Sequence, residues 1–296
     1  MSRLLDETVQ TITELGLRVH DVTVRAGGKV ADSRVLVPGE RVNVWSVSKT
    51  FTAIAVGFAV DEGLFGLDDR FSDLFPEYGA EGCGMTVSDA ISMKTGHGEC
   101  PIMKRERAGE PVGDILRLFF DEPLAWPHGT HWHYDNSGWY AAARAIEKTS
   151  GEDVLTYLTE RVFAPLGIET PVWEKCPCGY PQGFSGLHLN SSEIALAGEK
   201  LMHGEIAPRG FIEKMTSVQT DNSLNTQAFA TEDHRSGYGY GLWMNRVPGT
   251  YRMDGNMGNY CVMLPQKDAV VCFTSEEPRR MTRVLDLVWE TLYDKL

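Results

Sequence analysis

Residues 44–51 read Val-Trp-Ser-Val-Ser-Lys-Thr-Phe and place Ser46 three positions before Lys49. On a helix, side chains three apart lie on one face, with their Cβ atoms roughly 5–6 Å apart. A serine hydroxyl is a weak nucleophile until a base activates it, and a lysine amine is such a base when burial lowers its pKa. Residues 51–60 are apolar nearly all round, which predicts a buried helix. The stretch therefore predicts a nucleophile and its base at the start of a buried helix.

The S-x-x-K pattern alone leaves two interpretations open. About one chance match is expected in a chain of this length. A serine N-cap followed by a surface lysine explains the pattern equally well. The chain contains the pattern once, at Ser46 and Lys49. The choice between the two interpretations therefore rests on the remaining sequence.

A second candidate motif is Tyr134-Asp135-Asn136, which comes just before a predicted helix. A lysine ammonium nearby would lower the pKa of Tyr134, and the phenolate could then act as a general base. Asn136 offers both a donor and an acceptor to a substrate amide. The alternative interpretation is a buried tyrosine followed by an asparagine N-cap.

The composition is that of a globular protein of 296 residues with a formal charge of −13. No basic run is present, so we expect neither a nucleic-acid partner nor an anionic membrane partner. The first ten residues contain no apolar segment typical of a secretory signal, and we therefore expect a cytoplasmic protein with reduced thiols. The oligomeric state is left open.

Metal and cofactor sites are not expected. Cys176 and Cys178 lack the two-residue spacer of zinc motifs, and no second cysteine pair accompanies them. His131 and His133 alternate without a matching set of carboxylates, which is more typical of a polar surface.

Strand patterns occur near both ends of the chain, and helical patterns lie between them. This arrangement predicts a sheet lobe of residues 1–69 plus 205–296 and a mostly helical lobe of residues 70–204. Residues 174–186 form a predicted long loop, a kind of segment that often carries function. The predicted helices cover residues 4–17, 51–60, 87–95, 114–120, 138–149, 152–163, 191–203 and 282–296, and the predicted strands cover residues 19–25, 35–37, 238–244, 251–254, 261–264 and 269–274.

The order and spacing of the two motifs resemble the class C β-lactamase-like serine hydrolases. This group includes penicillin-binding esterases, D-aminopeptidases and 6-aminohexanoate-dimer hydrolases. The resemblance covers nearly the whole chain, and it also rests on residues 61–64, 93–97, 127–130 and 165–168 and on the hairpin around Pro265. It implies an α+β fold of the β-lactamase/transpeptidase type, an antiparallel sheet flanked by helices with an inserted helical lobe.

The family's third motif, Lys-Thr-Gly or His-x-Gly, is altered in this chain. Its position is similar to residues 255–259, Gly-Asn-Met-Gly-Asn, where Asn256 and Met257 replace the basic and hydroxyl residues. The resemblance implies that these groups hold the carboxylate of a β-lactam, so such a substrate would lose its charge partner here. It further implies that Gly258 leaves room for substrate, and that the backbone N–H groups of Ser46 and Asn259 form the oxyanion hole.

The resulting expectation is a serine hydrolase that needs no cofactor. Ser46 would attack a small-molecule or short-peptide amide or ester and form an acyl-enzyme. Lys49 and Tyr134 would exchange the proton, Asn136 would orient the acyl part, and Asn256, Gly258 and Asn259 would contact substrate. A β-lactamase or D-alanyl carboxypeptidase, an acyltransferase and a catalytically silent binding protein remain alternatives.

Overall fold

The structure is a computed structural model, and it describes residues 3–39, 41–79, 84–169, 171–227 and 230–296. Its main element is a six-stranded antiparallel sheet with strand order β2-β1-β9-β8-β7-β6, and a second sheet has the order β3-β5-β4. The strands are β1 (Val19–Ala26), β2 (Lys29–Val35), β3 (Val42–Asn43), β4 (Val172–Trp173), β5 (Leu187–Leu189), β6 (Trp243–Met244), β7 (Tyr251–Gly255), β8 (Asn259–Leu264) and β9 (Ala269–Ser275).

Helices occupy most of the chain between β3 and β6 and also flank the sheet at both ends. A 3-10 turn, Trp45–Val47, leads into the second helix of the chain. Two other helices are extended by π-helical turns, at Thr159–Phe163 and at Val288–Leu292. The helices are α1 (Asp6–Leu15), α2 (Ser48–Asp61), α3 (Phe71–Leu74), α4 (Val87–Ile91), α5 (Pro101–Ala108), α6 (Ile115–Asp121), α7 (Asn136–Ser150), α8 (Val154–Leu158), α9 (Ser191–Met202), α10 (Arg209–Met215) and α11 (Met281–Leu287).

Each face of the main sheet carries its own apolar core. On one face α9 packs against β1, β8 and β9, and this core continues through α2 and α7 into the helical part. On the other face α1 and α11 cover the apolar side chains of β1, β8 and β9. A hydrogen bond of 2.7 Å between the hydroxyls of Thr8 and Thr291 joins the two chain ends there. The predicted α+β architecture is therefore confirmed.

Helix α2 is the buried helix that the sequence predicts. Nearly all of its side chains are inaccessible, including those of Lys49 and Thr50. Because a buried hydroxyl needs a partner, Thr50 donates to the carbonyl of Gly241 (2.7 Å) and Thr52 donates to that of Gly183 (2.7 Å). These bonds fix the helix between the chain around Gly241 and the loop that precedes β5.

Several predicted boundaries differ from those of the structure. The helix predicted for residues 87–95 ends at Ile91, because Met93 has a φ of 61° and the chain turns there. Of residues 238–244 only Trp243–Met244 forms a strand. Helix α5 and the small sheet β3-β5-β4 were not predicted, since both are too short to show a clear period.

Helix α9 lies inside residues 70–204, which the sequence assigns to the helical lobe, although it packs on the sheet. The division at residue 204 stays a prediction. Within the described part of the chain, no helix has both the length and the apolar character needed to cross a lipid bilayer.

Strand β7 runs so close to the turn before α2 that only glycine fits at its end. A Cβ atom at Gly255 would lie 2.3 Å from the carbonyl oxygen of Val44 and 3.2 Å from a methyl group of Val47. We expect Gly255→Ala to lower the free energy of unfolding by about 1–3 kcal/mol or more, because backbone would have to move.

Gly210→Ala is the matched control for this prediction. Gly210 lies in α10, and an added methyl there meets nothing within 4 Å. This variant should leave the free energy of unfolding unchanged or raise it by up to about 1 kcal/mol, because alanine favours a helix more than glycine does. Urea denaturation of both variants measures the difference, and equal stabilities would contradict the close approach.

Candidate active site

Three side chains that the sequence predicted converge at the start of α2. Ser46 Oγ lies 2.8 Å from Lys49 Nζ and 2.6 Å from the hydroxyl of Tyr134. Ser46 belongs to the 3-10 turn Trp45–Val47, so the two residues of the S-x-x-K pattern share one helical face as predicted. Tyr134 arrives from the loop before α7. The structure thus connects residues that are 88 positions apart in the sequence.

Lys49 is held in a position that disfavours its charged form. Its side chain is 2% exposed, and Nζ donates to Ser46 Oγ and to the carbonyl of Phe184 (2.9 Å). Burial lowers the pKa of Lys49 to about 7, while more distant carboxylates, those of Asp135 and Asp254, oppose the shift only weakly. A large fraction of this amine is therefore neutral near pH 7 and able to accept a proton.

Tyr134 is a protonated phenol in this environment. Burial raises the pKa of its hydroxyl, and its ring stacks on Trp243 with centroids 6.2 Å apart. The prediction that Lys49 lowers the pKa of Tyr134 is wrong, because desolvation acts on both groups and leaves the lysine only partly charged. The hydroxyl can donate a hydrogen bond to Ser46 or to a leaving group.

The backbone immediately before the nucleophile is strained. Trp45 has a φ of 52°, which costs a bulky residue free energy. The side chain of Asn43 stabilises this turn, since its Oδ1 accepts from the N–H of Trp45 (2.7 Å) and from that of Gly186 (3.3 Å). Trp45 and Ser46, which both belong to this strained turn, line one cleft of the protein.

A buried pair of ionisable side chains supports the loop that carries Tyr134 and Asn136. Asp135 caps α7 by accepting from the N–H of Ser137 (2.8 Å), and its other oxygen accepts from His97 Nδ1 (2.7 Å) and from the hydroxyl of Thr95 (2.8 Å). Burial alone would raise the pKa of Asp135, but these donors outweigh it and lower the pKa to about 2. The carboxylate is ionised and rigidly held.

Asn136 lines the cleft beside Tyr134. Its Oδ1 accepts no hydrogen bond from the described residues. This free acceptor is consistent with the predicted contact to a substrate amide, which stays a prediction.

The third segment is only partly in the cleft. Asn256 lines it, whereas Gly258 and Asn259 are buried and do not line it. A Cβ atom at Gly258 would meet Ser275 and Val284 instead, and the side-chain Nδ2 of Asn259 donates to the carbonyls of Asn256 (2.7 Å) and Ser275 (3.2 Å). Gly255 is one residue of this segment that approaches the nucleophile turn, and the assignment of Gly258 and Asn259 to the substrate site stays a prediction.

The cleft has a volume of about 440 Å³ and includes residues that sequence reasoning missed. The most informative of these is Asp254, which lies near the end of β7, two residues after Arg252. The loop between β4 and β5, predicted to be functional, supplies part of the wall. The described lining residues are Asn43, Trp45, Ser46, Met103, Glu106, Tyr134, Asn136, Glu174, Gln182, Phe184, Ser185, Gln227, Trp243, Asp254, Asn256 and Met281.

The cysteines and histidines considered as metal ligands have other neighbours. His131 stacks on Trp126, and Cys176 contacts the hydroxyl of Tyr140 at 3.2 Å. Among the described residues, no three His, Cys, Asp or Glu side chains are grouped as a metal site requires. Cys83 lies outside the described residues.

Comparison with curated proteins gives a distant relative with a known kind of activity. The chain is 27% identical over 173 residues to a lovastatin esterase of Penicillium rubens, which covers 47% of this chain. The chain spans only about two fifths of that relative's length, 43%.

Solved structures share the fold over almost the whole chain. A putative 6-aminohexanoate-dimer hydrolase from Bacillus anthracis superposes with a TM-score of 0.78 at 17% identity, covering 97% of this chain and 80% of the other. EstCE1, described as a hydrolase with promiscuous acyltransferase activity, gives a TM-score of 0.77 at 17% identity, with 98% of both chains covered. The family model for Beta-lactamase matches residues 16–290. The chain therefore belongs to the Beta-lactamase family, and this family implies a serine hydrolase of esters or amides.

Proposed function

We propose that this protein hydrolyses an amide or ester of a small molecule or short peptide through an acyl-enzyme on Ser46. The observation that carries the proposal is the contact of Ser46 Oγ with both Lys49 Nζ and the Tyr134 hydroxyl. A nucleophile within hydrogen-bond reach of a base with a pKa near 7 is the arrangement that acyl transfer requires.

In the first step the neutral amine of Lys49 takes the proton of Ser46 as Oγ attacks the carbonyl carbon. The new C–O bond forms while the carbonyl π electrons move to oxygen, giving a tetrahedral oxyanion. The N–H of Ser46 at the start of α2 is one proposed donor to this oxyanion, and the helix dipole favours the negative charge. A backbone N–H of residues 255–259 is the second, and the assignment to Asn259 stays a prediction.

Collapse of the intermediate breaks the bond to the leaving group. The Tyr134 hydroxyl lies where it can pass a proton to the departing amine or alcohol, and the lysine ammonium returns a proton to the tyrosine. Water then repeats the sequence on the acyl-enzyme and releases the acid and free Ser46. Each group ends in its starting protonation state.

The first test removes the nucleophile. We expect Ser46→Ala to lower kcat/KM for p-nitrophenyl butyrate by at least about a thousandfold, since the proposed acyl-enzyme forms on the Ser46 hydroxyl. Ser48→Ala is the matched control, because its hydroxyl is buried and accepts from the N–H of Leu187 (3.1 Å) outside the cleft.

A fluorophosphonate probe followed by intact-mass spectrometry gives an independent readout of the same site. One adduct on the wild type and on Ser48→Ala, but none on Ser46→Ala, is the expected pattern. Full turnover by Ser46→Ala would refute the assignment.

The second test uses pH. Because Lys49 has to be neutral, kcat/KM should rise with pH and level off above about 7, falling roughly tenfold for each pH unit below that point. The ester's own hydrolysis is subtracted from each rate. A profile that is flat from pH 5 to 8 would show that Lys49 is not the base, and one that rises only near the ordinary lysine pKa would show that the pKa of Lys49 is not lowered.

A further inference from the structure

Asp254 lines the cleft, and one of its carboxylate oxygens belongs to a buried ion pair. Its Oδ2 lies 2.8 Å from Nε and 2.7 Å from Nη2 of Arg252, and 3.5 Å from Nε2 of His234. No hydrogen bond from the described residues reaches Oδ1, and the side chain is 15% exposed where it lines the cleft. One oxygen is therefore fixed, and the other is an acceptor open to a ligand.

Arg252 makes this arrangement rigid. Its guanidinium is fully buried, and Nη1 donates to the carbonyl of Asp233 (2.8 Å) and to Oδ1 of Asn245 (2.9 Å). A buried guanidinium needs a carboxylate partner, which keeps Asp254 in place. Burial raises the pKa of Asp254, but Arg252 and His234 outweigh this and lower it below its ordinary value. Asp254 is thus an acceptor-only anion at neutral pH.

The remaining charges on the cleft wall have the same sign. Glu106 and Glu174 are exposed at the cleft, and neither lysine nor arginine is among the described residues that line it. Aromatic side chains complete the wall, namely those of Trp45, Tyr134, Phe184 and Trp243. A cleft whose wall combines carboxylates with aromatic side chains has the chemistry that recognises an ammonium ion.

We propose that the cleft selects amide or ester substrates that carry an ammonium group, and that Asp254 is the counter-ion of this group. The proposal rests on the proposed acyl transfer at Ser46 and adds the substrate class. A substrate with a carboxylate at the same place would face repulsion from Asp254 instead of a cationic partner.

The test compares p-nitroanilides that differ only in one terminal group. Glycyl and 5-aminopentanoyl anilides carry an ammonium group, and the propionyl and hexanoyl anilides carry a methyl group in its place. Butyrylcholine and its neutral isostere 3,3-dimethylbutyl butyrate test the leaving-group side. At least one pair should show a kcat/KM ratio of about tenfold or more in favour of the cation.

Asp254→Asn keeps the shape and an acceptor for Arg252 but removes the charge. We expect this variant to lower the kcat/KM ratio of the cationic to the neutral substrate by about tenfold. We also expect it to raise kcat/KM for the glutaryl anilide, which carries a carboxylate. A merely structural defect would not improve any substrate. Asp121→Asn, on an exposed position of α6, should leave the ratio unchanged.

Each outcome bears on a separate claim. A wild-type ratio near one with Ser46-dependent turnover of the neutral probes overturns the ammonium proposal but not the proposed function. An unchanged ratio in Asp254→Asn also overturns it. If that variant does not fold, the wild-type kcat/KM ratio of the cationic to the anionic anilide still tests whether the cleft prefers an ammonium group. Absence of any Ser46-dependent turnover or labelling overturns both proposals.

Discussion

The chemistry of this site depends on removing the Lys49 amine from water. In solution the amine would be an ammonium ion and could accept no proton from Ser46. Helix α2, the carbonyl of Phe184 and the ring of Tyr134, whose centroid is 5.0 Å from Nζ, replace water around it. The core that surrounds α2 therefore stabilises the fold and also sets the protonation state of the base.

A second constraint acts from the opposite wall. The buried Arg252 fixes Asp254 at the end of β7, and Gly255 then allows the backbone to pass within contact of Val44. Both walls of the cleft are thus positioned by polar groups that lie behind them, with Asp135 and His97 supporting Tyr134 on one side. Breaking either buried pair would leave an uncompensated buried charge, so both pairs resist displacement of the cleft residues.

The pairing of Ser46 with Lys49 could be predicted from the sequence because it depends on local spacing, whereas Tyr134, 88 residues away, and the full architecture also required the family resemblance. The S-x-x-K pattern and the buried helix are local properties of residues 44–60. The pKa of Tyr134 could not be predicted, because it depends on burial beneath Trp243, a contact between distant parts of the chain. Asp254 was overlooked because a single acidic residue at the end of a strand looks like a solvated terminus until Arg252 is seen behind it.

The pairing of β1 with β9 brings together strands that are almost the whole chain apart. During synthesis the β1-β2 hairpin and the nucleophile turn leave the ribosome before their partners, which follow more than ten seconds later at about 5–20 residues per second. Until then one edge of β1 is exposed, and β7 has not yet covered the turn before α2. The nascent chain thus passes through a period in which the turn that carries Ser46 lacks its β7 neighbour, and the wall of the cleft that contains Asp254 is added only after Lys49 can already be buried.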